Sequence, residues 1–288
     1  MSSEFLLCPA PAKINLFLHV TGRRADGYHL LQTAFRMLDH GDTLGFRVRG
    51  DGAIQRLSEV PGVPAESDLI VRAARLLQSK THCRLGVDLQ VDKHLPMGGG
   101  LGGGSSDAAT TLLALNHLWA LDVPRQKLQS WALELGADVP FFVYGRTALA
   151  EGVGEELQPL GLLPSWYVVI EPPVSVPTVE IFSAKELTRD TEALRIAGFA
   201  VTETEQRLLQ GRNDLEPVAC SRYPVIQKAL DALEPFGSPR MSGSGACVFL
   251  PCERQAAAET VVKILQTEWK VWCAPALDTH PLLAWARD

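Results

Sequence analysis

The sequence predicts an α+β fold in two domains. Strand and helix patterns follow one another without the regular strand–helix–strand repeat of a doubly wound sheet. The chain ends in a strand–helix–strand pattern, which suits a small ferredoxin-like layer of helices on an antiparallel sheet. With 288 residues, 46% of them hydrophobic, the chain is long enough for two cores. We predict domains 1–156 and 157–288, with a ligand cleft between them.

Residue periodicity assigns the elements of the first half. The predicted strands are Ile14 to Val20, His29 to Leu38, Thr43 to Val48 and Leu85 to Val91. A helix begins after the capping residues Ser67 and Asp68, and its apolar face is formed by Leu69, Ile70, Ala73, Leu76 and Leu77. Further helices are predicted from Ser106 to Leu121, which is apolar on most of its surface, and from Arg125 to Leu135, where Gly136 ends it.

The second half begins near the loop from Gly152 to Pro164. Its predicted strands are Trp166 to Ile170, Ala246 to Leu250 and Lys270 to Cys273. Its predicted helices are Val179 to Leu187, Pro224 to Leu233 and Gln255 to Gln266. The segment from Ala193 to Gln210 is the least predictable part of the chain.

Composition and charge exclude several classes of function. The net charge is −6 and no basic run is interleaved with aromatic residues, so a nucleic-acid surface is not expected. No apolar stretch approaches a membrane span, and Pro9, Pro11 and Lys13 interrupt the stretch where a signal sequence would lie. The six cysteines are scattered, which favours reduced thiols over disulfides or a metal site. We expect a cytoplasmic protein, a monomer or weak homodimer, with a small-molecule partner.

The most informative segment is a glycine-rich run between a strand pattern and a helix pattern. Six of the seven positions from 98 to 104 are glycine, and such a run is entropically costly to order without a backbone requirement. The helix start that follows adds unpaired N–H groups and a dipole that favours anions. A flexible linker fits poorly because ordered patterns flank the run on both sides. The run therefore predicts a phosphate-binding loop.

Three known loop patterns compete for this run. Gly98 and Gly103 have the Walker A spacing, but Gly104 stands where that pattern requires lysine. The dinucleotide pattern G-x-G-x-x-G is also present, yet residues 93–96 separate it from the preceding strand, and Asp122 follows a helix rather than a second strand. The third pattern is P-x-x-x-G-L-G-[SG]-S-[SG], which residues 96–106 resemble closely.

Two charged residues outside the loop stand in apolar surroundings. Asp138 follows a predicted helix among alanine, valine, proline and phenylalanine, where a carboxylate is costly to bury unless it is paired. It is either a catalytic acid–base group or a carboxylate that caps a turn. Lys13 enters a mainly apolar strand, where it is either buried with a counter-charge or at an edge that reaches solvent. Spacing alone leaves these alternatives open.

Together these segments resemble the GHMP kinases, the small-molecule kinase family named for galactose, homoserine, mevalonate and phosphomevalonate. Similar blocks occur in the same order between about residues 8 and 250: 11–16 with 22–33, 95–109, 135–141 and 241–246. The Asp26-Gly27-Tyr28-His29 block is similar to one member in particular, whose acceptor is cytidine diphosphate-linked methylerythritol in the non-mevalonate pathway to isoprenoid precursors.

The resemblance implies an N-terminal ribosomal-S5-like ATP-binding domain and a C-terminal ferredoxin-like domain with the active site between them. It implies phosphoryl transfer from ATP, with Mg²⁺, to the C2 hydroxyl of that acceptor. A homoserine- or mevalonate-type kinase is the alternative, which Tyr28 and His29 disfavour because neither substrate carries a base. A decarboxylase of the same fold and a non-catalytic ATP-binding regulator are further alternatives, and Lys13 and Asp138 argue against the regulator.

The resemblance also implies roles for single residues. Asp138 is the expected general base, and Lys13 its partner, which lowers the cost of charge on the attacking oxygen. Tyr28 is expected to stack on cytosine and His29 to hydrogen-bond its polar edge. The residues expected to bind ATP are Pro96, Met97, Gly98, Gly99, Gly100, Leu101, Gly102, Gly103, Gly104, Ser105 and Ser106.

The other substrate residues implied by the resemblance each have a structural alternative. Phe182 is expected on the opposite face of the base, or in the core of its helix. Asn15 is expected at the methylerythritol hydroxyls or at a local backbone turn, and Lys93 near the base or at a solvated strand end. Gly243 and Ser244, in a second glycine turn, are expected to line the cleft or to form only a tight turn.

Two further polar residues are expected to be structural. Strand alternation places His19 on the same face as Lys13. Asp107 is expected in the first helical turn, as a capping carboxylate. The ligands of Mg²⁺ are not assigned.

Overall fold

The structure, a computed structural model, describes residues 4–25, 27–196, 201, 208 and 211–288. Asp26 of the Asp-Gly-Tyr-His block lies outside the described residues, as does most of the segment from Ala197 to Gln210. No helix in the described ranges combines the length and apolarity that a bilayer span requires.

The chain alternates irregularly between strands and helices. The strands are β1 (Leu6–Arg23), β2 (His29–Arg49), β3 (Ile54–Arg56), β4 (Gly86–Asp92), β5 (Ala148–Glu151), β6 (Glu156–Pro159), β7 (Trp166–Glu171), β8 (Arg240–Met241), β9 (Val248–Cys252) and β10 (Lys270–Leu277). The α-helices are α1 (Leu69–Thr81), α2 (Gly103–Leu118), α3 (Arg125–Ala132), α4 (Val139–Tyr144), α5 (Thr178–Phe182), α6 (Glu216–Arg222), α7 (Pro224–Leu233) and α8 (Gln255–Leu265). The predicted α+β class is confirmed.

One sheet connects the two halves. In the first half, β2 pairs antiparallel with β1, β4 and β5. In the second half, the strands lie in the antiparallel order β10–β7–β9–β8. The end of β10 pairs with β2 through Ala276 and Leu277, so the sheet is continuous. The predicted domain boundary falls at the start of β6, which pairs with β5, and it stays a prediction.

Hydrophobic cores form on both sides of this sheet. In the first half, α1 and α2 cover the strands, and α2 is buried along most of its length, as its apolar sequence predicts. In the second half, α7 and α8 pack on β7 and β9. A third cluster, which includes Ile14, Leu101 and Val169, joins β1, the glycine loop and β7.

Several predicted boundaries are wrong for identifiable reasons. The two strands predicted at 29–38 and 43–48 are one strand, because the polar residues between them continue to pair with β1 across a bulge at Pro11 and Ala12. The helix predicted from Val179 to Leu187 ends at Phe182, and Arg189 donates to the carbonyl groups that follow. The sequence prediction missed β3, β5, β6, β8, α4 and α6, all of which are short.

A second bulge in β1 changes which side chains face the cleft. The register with β2 shifts between Asn15 and Leu18, so Lys13, Asn15 and Leu18 line the cleft. His19 is turned away from it and lies within 3.2 Å of the carbonyl of Glu192. The prediction that His19 shares the face of Lys13 is therefore wrong, because a bulge interrupts the alternation that it assumed.

The chain beyond β10 returns to the first half and binds α3 and α4. Buried Arg125 donates to the carbonyl groups of Val143 (2.9 Å), Ala286 (2.6 Å) and Leu283. His280 is also buried, and its Nδ1 accepts the N–H of Leu282 at 3.0 Å. These contacts fix α4, whose N-cap is Asp138, to the C-terminal segment.

Replacing Arg125 by methionine should lower the free energy of unfolding by about 2–4 kcal/mol, because three carbonyl groups lose their donor. Chemical denaturation measures the change. Arg287→Met is the matched control, since the side chain of Arg287 is 80% exposed and pairs with exposed Asp122. Equal effects of the two substitutions would contradict this account.

Stability should fall with acidification partly through His280. Burial, with a smaller contribution from Arg125, lowers the pKa of His280 to about 3. As the pH falls, His280 therefore takes up a proton near pH 6.5 in the unfolded chain but only near pH 3 in the folded protein. This contribution is intact above pH 6.5 and decreases as the pH falls towards 3, by up to about 1.4 kcal/mol per pH unit.

Denaturation of the wild type and of His280→Gln at several pH values between 4.5 and 7.5 tests this expectation. The variant should show a flatter decrease in unfolding free energy below pH 6.5, whatever its stability at pH 7.5. The other histidines are common to both proteins and cancel in the difference. Parallel curves would contradict the assignment.

Candidate active site

A cleft of about 950 Å³ is lined by residues from both halves of the chain. It contains almost all of the residues that the sequence singled out. Those that line it are Lys13, Asn15, Tyr28, His29, Lys93, Pro96, Met97, Gly98, Gly99, Gly100, Gly102, Gly103, Gly104, Ser105, Asp138, Phe182, Gly243 and Ser244. Leu101 and Ser106 do not line it, because both are buried beneath the loop. That the residues from 96 to 106 bind ATP stays a prediction.

The carbonyl groups of the glycine loop are turned towards the protein. Four successive carbonyl groups accept hydrogen bonds from groups outside the loop: Gly98 from Val176 N–H (3.4 Å), Gly99 from Cys247 N–H (3.0 Å), Gly100 from Ser242 Oγ (2.9 Å) and Leu101 from Lys13 N–H (2.9 Å). The first N–H groups of α2 have no partner within the helix, as at any helix start. The loop and helix start therefore offer donors to the cleft rather than acceptors.

Glycine is required at two of these positions by close approach. A Cβ on Gly100 would lie 2.1 Å from the carbonyl oxygen of Ser242, and its φ of +74° is left-handed. A Cβ on Gly102, also left-handed, would lie 3.0 Å from both Lys13 and Phe142. The run is thus dictated partly by packing against β1 and the second glycine turn, and not only by the ligand.

Lys13 and Asp138 form an ion pair at the floor of the cleft. Lys13 Nζ lies 3.4 Å from Asp138 Oδ2 and 5.3 Å from the centre of the Phe35 ring. The lysine side chain is 3% exposed, whereas that of Asp138 is 35% exposed. Asp138 is therefore less desolvated than its apolar sequence neighbours suggest, because it stands at the N-cap of α4 and faces the open cleft. Its side chain makes no capping hydrogen bond to that helix.

Asn15 holds the lysine in place. Lys13 Nζ donates to Asn15 Oδ1 at 2.7 Å, and Asn15 Nδ2 donates to Thr33 Oγ1 at 2.9 Å, which fixes the orientation of the amide. The backbone N–H of Asn15 donates to Ser242 Oγ at 3.2 Å. Since Ser242 Oγ also donates to Gly100, one chain of hydrogen bonds links β1, the second glycine turn and the glycine loop.

Lys93 lies at the start of α2. Its Nζ donates to Asp107 Oδ2 at 2.8 Å and also to Asp42, whose other oxygen accepts the N–H groups of His94 (2.6 Å) and Leu95 (2.8 Å). Burial alone would lower the pKa of Lys93, but the carboxylates of Asp107 and Asp42 outweigh it and raise that pKa. Lys93 is thus a paired cation beside the loop and not a solvated strand end.

Asp107 does not cap α2. The helix begins at Gly103, so Asp107 stands in its second turn, where its side chain reaches Lys93. Burial raises the pKa of Asp107, in spite of the opposing ammonium of Lys93. Its Oδ1 is buried without a hydrogen-bond partner, and so is Ser106 Oγ. The capping interpretation is wrong because the helix begins earlier than its apolar pattern indicates.

Aromatic side chains lie at another part of the cleft. The rings of His29 and Phe182 are 5.1 Å apart and inclined by 37°, and Tyr28 is 65% exposed. Arg189 Nε donates to His29 Nε2 at 3.0 Å. Burial, followed by Arg189 and Arg23, lowers the pKa of His29. Phe182 therefore belongs to the wall of the cleft, although it also contacts the core of the second half.

The second glycine turn is anchored by a segment that the sequence analysis did not single out. Asn213 Nδ2 donates to the carbonyl groups of Met241 (2.9 Å) and Gly243 (2.7 Å), and Glu216 accepts the N–H of Met241 at 2.7 Å. Ser244 Oγ lies 2.8 Å from Thr178 Oγ1 at the start of α5.

Four positioning residues escaped the sequence analysis: Asp42, Arg189, Asn213 and Ser242. The polar run from Arg212 to Asp214 was the available signal for Asn213, because such residues commonly bond to backbone groups at turns. Ser242 was inside a recognised motif. Asp42 and Arg189 carry no local signal, since their partners are 51 and 160 residues away along the chain.

Two family models match the chain, one in each half. The family model described as GHMP kinases N terminal domain matches residues 68–146, and that described as GHMP kinases C terminal matches residues 201–271. The chain is 61% identical over 278 residues to 4-diphosphocytidyl-2-C-methyl-D-erythritol kinase of Aromatoleum aromaticum, covering 96% of this chain and 95% of the relative. It is 59% identical over 275 residues to the enzyme of that name from an Azoarcus species, covering 96% and 95%.

Solved structures agree with the sequence relatives. A crystal structure of 4-(cytidine 5'-diphospho)-2C-methyl-D-erythritol kinase is 34% identical with a TM-score of 0.81, covering 94% of this chain and 99% of that one. Homoserine kinase from Cytophaga hutchinsonii is 17% identical with a TM-score of 0.73, covering 97% and 96%, which shows a common fold alone. This chain belongs to the 4-diphosphocytidyl-2-C-methyl-D-erythritol kinase family of GHMP kinases.

Proposed function

We propose that this chain transfers the γ-phosphoryl group of ATP to the 2-hydroxyl of 4-diphosphocytidyl-2-C-methyl-D-erythritol, giving the 2-phosphate and ADP. One observation carries the proposal: a single cleft contains the glycine loop, the Lys13–Asp138 pair and the Tyr28–His29–Phe182 group. These supply the three things that the reaction needs, namely a phosphate cradle, a group to take the hydroxyl proton and a site for a base. The kinase activity serves the non-mevalonate pathway to isoprenoid precursors.

The glycine loop binds the triphosphate through N–H groups. Its carbonyl oxygens are occupied by the protein, so the approach of an anion meets little repulsion from them. The start of α2 adds its unpaired N–H groups and dipole. Lys93 is already compensated by Asp42 and Asp107, so it orders the loop and helix start more than it adds net positive charge.

Asp138 accepts the proton of the attacking hydroxyl. An alcohol is far too weak an acid to ionise beforehand near pH 7, so proton loss accompanies phosphoryl transfer. Lys13 is buried beside the carboxylate and is held by Asn15, so its charge is available where the attacking oxygen becomes negative. Asn15 therefore acts by positioning Lys13, and its amide is already engaged by Lys13 and Thr33.

The residues beside the loop fit a magnesium ion shared with ATP. Asp107 lines the cleft and its Oδ1 is an oxygen without a partner, and oxygen is the ligand that Mg²⁺ prefers. Across the described part of the chain no three His, Cys, Asp or Glu residues form a metal site, so the protein alone builds no cage. Mg²⁺ is typically held by one or two carboxylates together with phosphates. When bound here, it would neutralise charge on the phosphates, with Asp107 as its carboxylate ligand.

The aromatic group receives the cytosine. Tyr28 and Phe182 offer ring faces, and base stacking on such rings is worth roughly 1–3 kcal/mol in nucleic-acid complexes. His29 offers a polar edge to the base. Gly243 and Ser244 line the cleft nearby and are proposed to contact the remainder of the substrate.

The proposed location is the cytoplasm, and the proposed state is a monomer or weak homodimer. All six cysteines are free, and burial raises the pKa of the Cys8 and Cys220 thiols to about 12. Thiols of this kind remain protonated and unreactive, which is compatible with a reducing compartment.

Release of ADP with Mg²⁺ and a panel of acceptors tests the proposed substrate. We expect turnover with 4-diphosphocytidyl-2-C-methyl-D-erythritol and none above background with homoserine or mevalonate, because these lack a base for the aromatic group. A Tyr28→Ala variant should raise KM for the cytidylated acceptor with a smaller effect on KM for ATP. Turnover confined to an acceptor without cytidine would reject the proposal.

Replacing Asp138 by asparagine should lower kcat by about 10²–10⁴, the usual contribution of a positioned general base. KM for ATP and for the acceptor should change little, because the amide keeps the shape of the carboxylate. Asp122→Asn is the matched control, since Asp122 is exposed and outside the cleft, and it should retain full activity. Steady-state kinetics measure both variants, and full turnover by the Asp138 variant would rule out its role as base.

A further inference from the structure

We propose that the aromatic ring of Phe35 stabilises the ammonium of Lys13 while Asp138 takes up the proton of the attacking hydroxyl. The proposal rests on the role of Asp138 as general base proposed above. Phe35 is here a positioning residue, since it acts on the reaction through Lys13.

The ion pair between Lys13 and Asp138 is open. The nitrogen–oxygen distance is 3.4 Å, whereas charge-assisted hydrogen bonds between an ammonium and a carboxylate are about 2.7–2.9 Å long. Lys13 Nζ lies closer to a neutral partner, Asn15 Oδ1, at 2.7 Å. The lysine side chain is 3% exposed, so water compensates little of its charge. Neutral groups therefore carry part of the stabilisation of this buried cation.

The ring of Phe35 is a second neutral group at the ammonium. Lys13 Nζ lies over it, 5.3 Å from the ring centre. This is within the distance of about 6 Å at which the quadrupole of an aromatic face attracts a cation. Such an attraction is stronger at a site from which water is excluded, as it is around Lys13. The contact is therefore of the kind that contributes measurably to the energy of the cation.

Phe35 is held in place by its own neighbours. It lies inside β2, where it pairs with Asn15 of β1 and Ala148 of β5. It is 2% exposed, and its ring packs on that of Phe141 at 4.7 Å, inclined by 33°. A ring fixed in this way stays in place whether Asp138 is charged or protonated.

The proposed reaction removes the counter-charge of Lys13. The hydroxyl O–H bond breaks and its proton goes to the carboxylate of Asp138, while the oxygen bonds to the γ-phosphorus and ADP departs. Negative charge thus leaves Asp138 and passes through the phosphoryl group to ADP. A buried cation without its partner is costly unless other groups compensate it. Phe35 and Asn15 are the groups that remain.

Loss of the ring attraction therefore affects the two states differently. While Asp138 is charged, an ammonium released by Phe35 can close from 3.4 Å to hydrogen-bond contact and so recover stabilisation. That contact also makes the carboxylate a poorer proton acceptor, because it favours the charged form. Once Asp138 is protonated, no such compensation exists. The Phe35 contact thus raises kcat more than it strengthens substrate binding.

A purely structural role for Phe35 makes a different prediction. Phe35 lines the cleft, so its ring could serve only as an apolar wall. An apolar wall depends on the size and apolarity of the ring, which fluorine atoms at the ring edge change little. The attraction for a cation depends on electron density at the ring face, which each fluorine atom withdraws. Stepwise fluorination therefore separates the two roles.

The experiment replaces Phe35 by mono-, di- and trifluorinated phenylalanine through site-specific incorporation. Release of ADP gives kcat and the KM values for ATP and for 4-diphosphocytidyl-2-C-methyl-D-erythritol. The same series at Phe46 is the matched control, because Phe46 is 1% exposed, lies in β2 and belongs to the same core. Among the residues that the structure describes, no ammonium or guanidinium lies over the ring of Phe46.

A second measurement requires no turnover. An aromatic ring moves the nuclear magnetic resonances of protons above its face upfield, so the Cε methylene protons of Lys13 report whether the ammonium lies over Phe35. They are measured in the ligand-free wild type and assigned with Lys13→Arg. They should lie upfield of the ordinary lysine position in the wild type and return to it in Phe35→Leu.

We expect kcat to fall at each step of the Phe35 series, by about three- to tenfold with three fluorine atoms, the range of a desolvated cation–π contact. Both KM values should change by less than about twofold, because the ground state compensates through Asp138. The Phe46 series should keep the kcat of the unsubstituted enzyme.

Three results would overturn the proposal: an unchanged kcat across the Phe35 series, an equal decrease in the Phe46 series, or methylene resonances of Lys13 at the ordinary position in the wild type. The last needs no substitution at Phe35, so a poorly folded variant does not remove the test. Failure of the wild type to phosphorylate the cytidylated acceptor would instead reject the proposed function, and with it the role of Phe35 in the reaction, while the resonances still report the contact.

Discussion

The geometry of the active site depends on the four hydrogen bonds that hold the carbonyl groups of the glycine loop. Their donors come from β1, from the segment before α5 and from the second glycine turn, so both halves of the chain orient one loop. Without these donors, four carbonyl dipoles could turn towards an anion, and the loop would repel the ligand that it cradles. The cleft between the halves is thus a consequence of how the loop is held.

Lys13 connects this scaffold to the chemistry. Its backbone N–H anchors the loop through Leu101, while its ammonium faces Asp138 at 3.4 Å. Lys13 therefore helps to fix both the loop proposed to hold the phosphates and Asp138, the proposed general base. A displacement of β1 would move the cradle and the cation together, which preserves the alignment that in-line transfer requires.

The sequence predicted which residues line the cleft better than it predicted the contacts between them. Lys13, Asp138, Tyr28, His29 and the loop could be singled out because each stands in a local pattern that resembles a known family. The α+β class could be predicted because apolar periodicity survives in the longer elements. The bulges in β1 and the end of α5 could not be predicted from the sequence, because they depend on register shifts and on distant side chains such as Arg189. The capping role predicted for Asp107 is wrong for a related reason: a helix can begin on glycine when tertiary contacts hold the loop, so α2 begins at Gly103 and not at Ser106.

Charge balance indicates how an acidic protein binds two highly anionic ligands. The net charge of −6 provides no general attraction. The buried lysines of the cleft add little net positive charge either, since Lys13 is paired with Asp138 and Lys93 is paired with Asp42 and Asp107. Affinity for phosphates must then come mainly from oriented N–H groups, whose dipoles require no counter-charge when the site is empty. Paired lysines serve another purpose: their positive charge is no longer balanced once the partner carboxylate takes up a proton or binds a cation. If Asp138 is the base, as proposed, Lys13 exerts its greatest effect when Asp138 accepts the hydroxyl proton. Stabilisation is then concentrated in the transition state, where it accelerates the reaction, and not in the ground state, where it would only tighten binding.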